Sequence, residues 1–456
     1  NPKVDGTAHI LTGDLTISNN AGLSLVGVDL QLPQTAEIDI QGSGILSGQG
    51  ATISVPNIYA GTSATVTADA DNSLTIDANL FWSCQTLREV SSLTIKGSLT
   101  LQPGCEVEMT GGDVEGSITV LTGGEFTLLS ELDITVLDKG EPVVGAIVSV
   151  DGATSQTDND GKVSTSAIAR NVDDSSDTTG GMKTVALQIG SFTDMTAWDS
   201  STSLTHTFMA STLPTGVVNS WLILEAQWSP YFLDGNLEVG QFTTLTIHDG
   251  VAIRSTEDST ITVNGALDAG IATLSSTGFG ARWGGLVLGD YTSSLIDLSG
   301  THVVEASSAI TIPSLGTVDA SSALFARSSG SDPLIQISPG SSAEVNVKNS
   351  EFYDGGSGCI FAYPSQSVVT LSGVELDSCN GPGIWARQVD LQIDGLKIGE
   401  NISSGMELAG VTGSVKDIDA NSFNGDGNVL WLESIDGEFS VEGFSATVSG
   451  TAAIAG

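Results

Sequence analysis

The stretch Gly358-Cys359-Ile360-Phe361-Ala362 opens a pattern that repeats along the C-terminal part of the chain. It returns as Pro382-Gly383-Ile384-Trp385-Ala386, Gly405-Met406-Glu407-Leu408 and Asn428-Val429-Leu430-Trp431. With Ile360, Ile384, Met406 and Val429 taken as equivalent, one repeat is about 22 to 24 residues long. A second series keeps the same spacing, in Leu371-Ser372-Gly373-Val374, Ile393-Asp394-Gly395-Leu396 and Val415-Lys416-Asp417-Ile418.

Within each repeat, apolar and polar residues alternate. Asp390-Leu391-Gln392-Ile393-Asp394 is an example, and a period of two indicates a strand with one buried face. Gly, Asn and Ser interrupt these runs every few residues, so the backbone must turn often. The pattern predicts an all-β solenoid, a parallel β-helix in which each short strand pairs with its equivalent one coil away.

The composition is that of a tightly turning acidic protein. The 456 residues include 55 Gly, 54 Asp or Glu and 14 Lys or Arg, which gives a formal net charge of −40. Such a surface repels nucleic acid and anionic lipid, so we expect no nucleic-acid partner and no direct membrane insertion. The charge is either a coat that keeps strand edges apart or an adaptation to divalent cations and an extracellular setting.

The chain divides into three predicted parts. Residues 1–130 form a first β-helix section, in which Leu74-Thr75-Ile76 returns as Leu93-Thr94-Ile95. Residues 131–212 have longer alternating runs. Short strands separated by Gly resume in residues 213–456, the second β-helix section.

The middle part resembles the carboxypeptidase-regulatory-like module, a small β-sandwich of the transthyretin or immunoglobulin kind. The resemblance rests on Gly140-Glu141-Pro142-Val143-Val144-Gly145-Ala146 and Thr157-Asp158-Asn159-Asp160-Gly161. It implies a β-sandwich inserted between the two solenoid sections at residues 131–212. Members of that family act as spacers or adhesive modules on secreted and surface proteins.

The start of the second section resembles right-handed parallel β-helix proteins of the pectin-lyase-like superfamily. The motifs are Leu245-Thr246-Ile247, Ile261-Thr262-Val263-Asn264-Gly265 and Trp283-Gly284-Gly285-Leu286-Val287-Leu288-Gly289. The resemblance implies a right-handed coil. It also makes a polysaccharide lyase or hydrolase a hypothesis to test.

Catalytic signatures of that superfamily are missing. The Asp-Asp pair, Asp173-Asp174, falls in a polar loop, and the four histidines share no motif. An enzyme acting on acidic sugar would need clustered Arg or Lys, whereas the basic residues here are scattered. We therefore expect no catalytic residues and no enzyme activity.

The four cysteines are spaced by about one coil. Cys84 lies 21 residues before Cys105, and Cys359 lies 20 residues before Cys379. Three connectivities are possible, and the spacing favours 84–105 and 359–379. Disulfides would place the protein outside the cytosol, while free buried thiols are the alternative.

Two turns carry candidate calcium ligands. Asp158, Asn159 and Asp160 form one set, and Asn424, Asp426 and Asn428 form the other. Short oxygen side chains at alternating positions suit a hard cation, so calcium is the one expected cofactor. The alternative is turn chemistry, because Asp and Asn also accept backbone hydrogen bonds. Asn401-Ile402-Ser403 is an N-glycosylation tripeptide.

Three tryptophans, Trp283, Trp385 and Trp431, fall in repeat strands, and we expect them to pack within or over the coil. Arg282 and Arg387 adjoin two of these rings and are expected to stack on them. A sugar-binding platform would instead require exposed neighbouring rings.

These observations favour a non-enzymatic extracellular or cell-surface structural protein. It would be a rod that forms homo-oligomers or polymers, such as a surface layer, sheath or filament. The alternative is an adhesin or glycan-binding module with surface glycans as partners.

Overall fold

The computed structural model describes residues 9–68, 73–189, 192–277, 280–435, 439–446 and 454–455. These residues are all-β, with about 60% of the chain in strands. Their one helical turn is the 3-10 segment Ala226–Trp228. Parallel strands wind into a β-solenoid of about 18 turns, which confirms the fold predicted from the repeat.

Contacts divide the chain into two compact units. The first contains residues 1–135, 147–186 and 195–207, and the second contains residues 136–146, 187–194 and 208–456. The predicted boundaries at 130/131 and 212/213 remain predictions.

The second unit is a solenoid with three strands in each regular coil. Two of the three lie in a sheet of 17 strands and the third in a sheet of 11. The larger sheet contains Ser211–Thr212, Leu222–Leu224, Tyr231–Leu233, Thr244–Ile247, Ala252–Ser255, Ala266–Ala269, Thr273–Ser276, Leu295–Ser299, His302–Val304, Leu315–Ser321, Leu324–Ala326, Ser342–Lys348, Glu351–Tyr353, Val368–Asp377, Asp390–Ile398, Thr412–Ala420 and Phe439–Ala446. The smaller contains Gly216–Val218, Leu237–Val239, Thr260–Val263, Gly285–Leu288, Ile310–Ile312, Ile335–Ile337, Ile360–Ala362, Pro382–Arg387, Ser404–Ala409, Leu430–Glu433 and Ile454–Ala455.

The core of this unit is a stack of inward side chains. In Asp390–Ile398, Leu391 and Ile393 are buried while Gln392 between them is exposed. Because the strands are parallel and in register, Leu391 lies on Val369 and Ile393 lies on Leu371. Burial of one such side chain contributes about 1.5 to 3 kcal/mol, so the inward ladders dominate the stability of the coil.

The register agrees with the sequence repeat except at one position. Ile360 pairs with Ile384, and Ile384 pairs with Met406, as predicted. Met406 then pairs with Leu430, so the equivalence assigned to Val429 is wrong by one residue. Both residues are fully buried, and an apolar pair at successive positions hides which one starts the strand.

One corner of the second unit is a single residue in the left-handed conformation, repeated coil after coil. It follows positions that pair in register, such as Ser372 and Asp394. A left-handed backbone favours Gly, Asn and Asp, because other side chains strain it. The corner residues have φ between 47° and 76° and are Gly300, Ser322, Asn349, Gly373, Gly395, Asp417 and Gly443.

The first unit also begins as a parallel solenoid. Its core includes the ladder of Ile38, Ile58, Leu80 and Leu99, all 0% exposed. One sheet contains His9–Ile10, Leu15–Ser18, Asp29–Gln31, Glu37–Gln41, Ala51–Ala60, Leu74–Trp82, Leu93–Ile95, Leu99–Leu101, Asp113–Val114 and Ile118–Val120. Another contains Gly22–Val26, Ile45–Gln49 and Thr65–Ala68, and a third begins with Arg88–Ser91 and Glu106–Thr110.

Strand pairing in the first unit then becomes antiparallel. Glu125–Asp138 starts parallel to Glu106–Thr110, and its residues 125–135 also pair antiparallel with Lys162–Asp173. Ile147–Val150 and Ala153–Gln156 form an antiparallel hairpin. The remaining strands in this part of the chain are Glu141–Pro142, Asp177–Thr179, Met182–Ile189, Phe192–Asp199, Leu204–Met209. The expected sandwich remains a proposal.

Candidate functional site

Both predicted disulfides are present. Cys84 is bonded to Cys105 with a Cα–Cα distance of 4.7 Å, and Cys359 to Cys379 with 5.6 Å. All four cysteines are at most 5% exposed. Each bond joins a coil to the next one, and the pair favours a location outside the cytosol.

The first candidate calcium set lies on the exposed turn between Ala153–Gln156 and Lys162–Asp173. The Asp158 Oδ1 accepts hydrogen bonds from the backbone N–H groups of Asp160 and Lys162, both at 2.9 Å. This oxygen therefore holds the turn closed. Asn159 and Asp160 are exposed beside it, and calcium binding here stays a prediction.

The second candidate set meets the glycosylation tripeptide in space. Asn424 and Asp426 line an open depression of about 290 Å³ together with Asn401 and Ser403. The Asn424 Oδ1 accepts a hydrogen bond of 2.6 Å from the backbone N–H of Asn401. Asn428 does not line the depression.

Metal binding at this depression and glycosylation of the exposed Asn401 both remain predictions. Among the residues that the structure describes, no group of three or more His, Cys, Asp or Glu side chains could hold a metal ion.

The Asp173-Asp174 pair serves the fold of its loop. Hydrogen bonds from the backbone and hydroxyl groups of Ser175 and Ser176 lower the pKa of Asp173 to about 2. The Asp174 Oδ2 accepts a hydrogen bond of 3.0 Å from the backbone N–H of Gly123.

The smaller sheet of the second unit carries aromatic rings on its outer surface. Phe361, Trp385, Glu407 and Trp431 occupy equivalent outward positions on four successive strands. The ring centroids of Phe361 and Trp385 are 5.6 Å apart, and Trp431 is 40% exposed. We call this set the aromatic column.

A second outward column runs beside the first, two residues further along each strand. It contains Arg387, Ala409 and Glu433, and Tyr363 directly follows the preceding strand. Tyr363 meets Trp385 edge to face with centroids 5.0 Å apart. The Arg387 guanidinium stacks over the same ring, with its Cζ 4.9 Å from the centroid, as the sequence predicted. The two columns together form what we call the aromatic platform.

Trp283, predicted to lie in a repeat strand, falls two residues before the strand Gly285–Leu288 and points into the core. Trp283 is 0% exposed, and its Nε1 donates a hydrogen bond of 3.0 Å to the Val304 carbonyl. Sequence alone did not separate this core ring from Trp385 and Trp431, and it did not select Phe361 or Tyr363. The alternation around Phe361 could have identified its outward position, because Ile360 and Ala362 on either side are buried.

An acidic column lies on the larger sheet. Asp268, Asp297 and Asp319 are in-register neighbours on equivalent strands of three successive coils. Burial, together with the charges of Asp268 and Asp319, raises the pKa of Asp297 above its ordinary value. The next rung is Asn346, whose Nδ2 donates a hydrogen bond of 2.9 Å to the Asp319 Oδ1. Sequence analysis missed this column.

The described part of the chain contains no helix with the length and apolar character needed to cross a membrane. Comparisons with known proteins give no assignment of family. No protein-family model matches the chain, and no curated protein matches it either.

Proposed function

We propose that the protein is a non-enzymatic structural protein of the cell surface or extracellular space, which assembles with copies of itself into a layer, sheath or filament. The single observation that carries the proposal is the regular parallel ladder of the second unit, with eleven described strands in its smaller sheet. Such a stack of coils extends along one axis and gives a stiff element with many equivalent outward positions.

Three further features support it. The disulfides, each joining neighbouring coils, suit an oxidising compartment. The sequence resembles pectin-lyase-like β-helix proteins and, at residues 131–212, the carboxypeptidase-regulatory-like module, which we propose forms an inserted sandwich. Both kinds of domain occur in surface proteins. A solenoid also ends in strands whose backbone groups need a cap or another subunit, which favours end-to-end assembly.

Calcium is the proposed cofactor of assembly. With a formal charge of −40, neighbouring copies repel each other, and a divalent cation would reduce that repulsion. The depression that contains Asn424 and Asp426 offers side-chain oxygens at the surface.

Sedimentation velocity and negative-stain electron microscopy, with calcium and with EDTA, test this proposal. We expect ordered assemblies in calcium that dissociate in EDTA. Asn424→Ala with Asp426→Ala should remove the calcium dependence, whereas Asp394→Ala, at an exposed strand position outside both candidate turns, serves as the matched control. A monomer at all protein and calcium concentrations would contradict the proposal.

A surface module that binds glycans is the second candidate function. The observation that favours it is the aromatic platform, which places neighbouring rings on the outside of the coil. Exposed clustered aromatic side chains on a soluble surface commonly mark a binding site.

A further inference from the structure

We propose that the aromatic platform binds an extended, uncharged polysaccharide that lies along the axis of the second unit. This inference rests on the second candidate function and names its site and ligand class. The rings of Trp385 and Trp431 would stack on the C–H faces of sugar rings, and the flanking polar groups would bind hydroxyls.

The dimensions of the platform favour a linear ligand. Each strand of the smaller sheet is short, and residues 385 and 387 are the outward positions on one of them, separated by buried Ala386. The platform is therefore about two side chains wide and extends over four coils. Coils are spaced by about 4.8 Å, so Trp385 and Trp431 are roughly 10 Å apart along the axis. Glu407 occupies the position between the two rings, so the ligand would lie over this side chain and span from Trp385 to Trp431.

Polar groups with unused hydrogen-bonding capacity surround the rings. Glu407 lies between the two tryptophans in the register, and its Oε1 accepts a hydrogen bond of 2.5 Å from the Ser404 hydroxyl. The Arg387 Nε is buried and has no hydrogen-bond partner among the described residues. Because the protein shields this Nε from solvent, the Nη1 and Nη2 groups of the same guanidinium would be the donors to sugar hydroxyls.

The charge of the protein favours an uncharged polymer as the ligand. The molecule as a whole is strongly acidic and would repel polyuronates or sulfated glycans. The outward positions that continue the aromatic column on preceding strands are uncharged, namely Gln336, Thr311, Val287 and Thr262. A hydroxyl-rich neutral chain could follow this track beyond the rings.

A protein partner fits these observations less well. A stable protein interface buries about 800 Å² on each side around a broad apolar centre. Here the apolar surface is narrow, and Phe361, Tyr363 and Trp385 are each partly buried against neighbours.

The test is isothermal titration calorimetry with the full chain. The neutral probes are hexasaccharides of glucan, xylan, mannan, galactan and chitin, and hexagalacturonate is the anionic probe. We expect binding to at least one neutral hexasaccharide and none to hexagalacturonate. Trp431→Ala should weaken that binding by about tenfold or more, because one stacking contact is lost. Trp221→Ala removes a ring that is 77% exposed elsewhere in the same unit and should leave binding unchanged.

The outcomes separate the site from the function. If a neutral hexasaccharide binds but Trp431→Ala binds it equally well, glycan binding is supported and this site is wrong. If no hexasaccharide binds, the inference and the second candidate function both fail. If hexagalacturonate binds best, glycan binding is supported and the proposed ligand class is wrong. If Trp431→Ala changes only the sedimentation coefficient, the platform is an interface between protein copies and the inference is also wrong.

Discussion

Two outward columns of the second unit share one kind of backbone ladder and differ in chemistry. In the acidic column, register places Asp297 between Asp268 and Asp319, and like charges meet. In the aromatic column, the same kind of register places Phe361 beside Trp385, and rings stack. A parallel in-register sheet therefore places the side chains of equivalent positions next to each other in successive coils. It does so whether their contact is favourable or unfavourable.

The comparison also shows which residues set the register. A directly opposed outward pair contributes about 0.2 to 1 kcal/mol in either direction. An inward apolar side chain contributes about 1.5 to 3 kcal/mol on burial. The inward ladders therefore decide the alignment, and the acidic column is held in a register that its own charges oppose.

The largest expected effect on stability comes from removing an aromatic ring inside the coil, compared with removing one on its outer surface. Phe352 is 1% exposed and stacks on Phe325 inside the coil, with centroids 4.9 Å apart. Phe352→Ala should lower the free energy of unfolding by about 3 to 5 kcal/mol, because it leaves a cavity. Phe361→Ala, on the outer surface, should cost about 1 kcal/mol. Denaturant unfolding of both variants checks this, and equal losses would refute the distinction.

An intermediate effect concerns the disulfide next to the aromatic platform. Cys359→Ser with Cys379→Ser opens a loop of about 20 residues and should destabilise the protein by about 3 kcal/mol. Replacing Cys84 and Cys105 by Ser is the matched control in the first unit. Thermal unfolding under oxidising and reducing conditions measures both. An unchanged melting temperature for the Cys359 and Cys379 variant would show that register alone holds these coils.

The smallest expected effect on stability concerns the acidic column, where the substitution should stabilise the protein. The pKa of Asp297 is raised in the folded protein, so the folded state binds more protons than the unfolded state between the two pKa values. Its contribution to stability therefore increases as the pH falls through the folded pKa, and decreases as the pH rises. Asp297→Asn should stabilise the protein at pH 7 by up to about 1 kcal/mol.

The difference between wild type and variant isolates this carboxyl from the other acidic groups. Unfolding measured from pH 7 to pH 4 should show the advantage of Asp297→Asn shrinking as the pH falls. Asp394→Asn, at an exposed outward position on a later strand, is the matched control. A constant difference between wild type and Asp297→Asn at every pH would contradict the raised pKa.

The solenoid could be predicted because its signal is repeated. Alternation within Asp390–Ile398 identifies a strand, and recurrence of Leu371 as Ile393 and Val415 identifies its partners. The disulfides followed from the same spacing. The start of the strand at Leu430 was misplaced because Val429 and Leu430 are both apolar and buried.

The candidate sites were harder to predict, because outward positions do not reveal their neighbours until the register is known. Trp283 and Trp385 each lie in an apolar run, yet one is in the core and the other is on the surface. Asp268, Asp297 and Asp319 are far apart in sequence and become neighbours only through strand pairing. Calcium binding, glycosylation and the absence of catalysis remain predictions.

The single-residue corner at Gly373 and Gly395 limits how the length of this protein can change during evolution. Two consecutive outward residues at each corner shift the alternation, so that Leu371 and Val374 both point inward. Inserting one residue there would turn the following strand inside out and place its polar residues in the core. Duplication or loss of a whole coil keeps every inward ladder intact. The constraint applies to this corner, because coil length varies elsewhere, from 22 residues between Asp297 and Asp319 to 29 between Asp268 and Asp297.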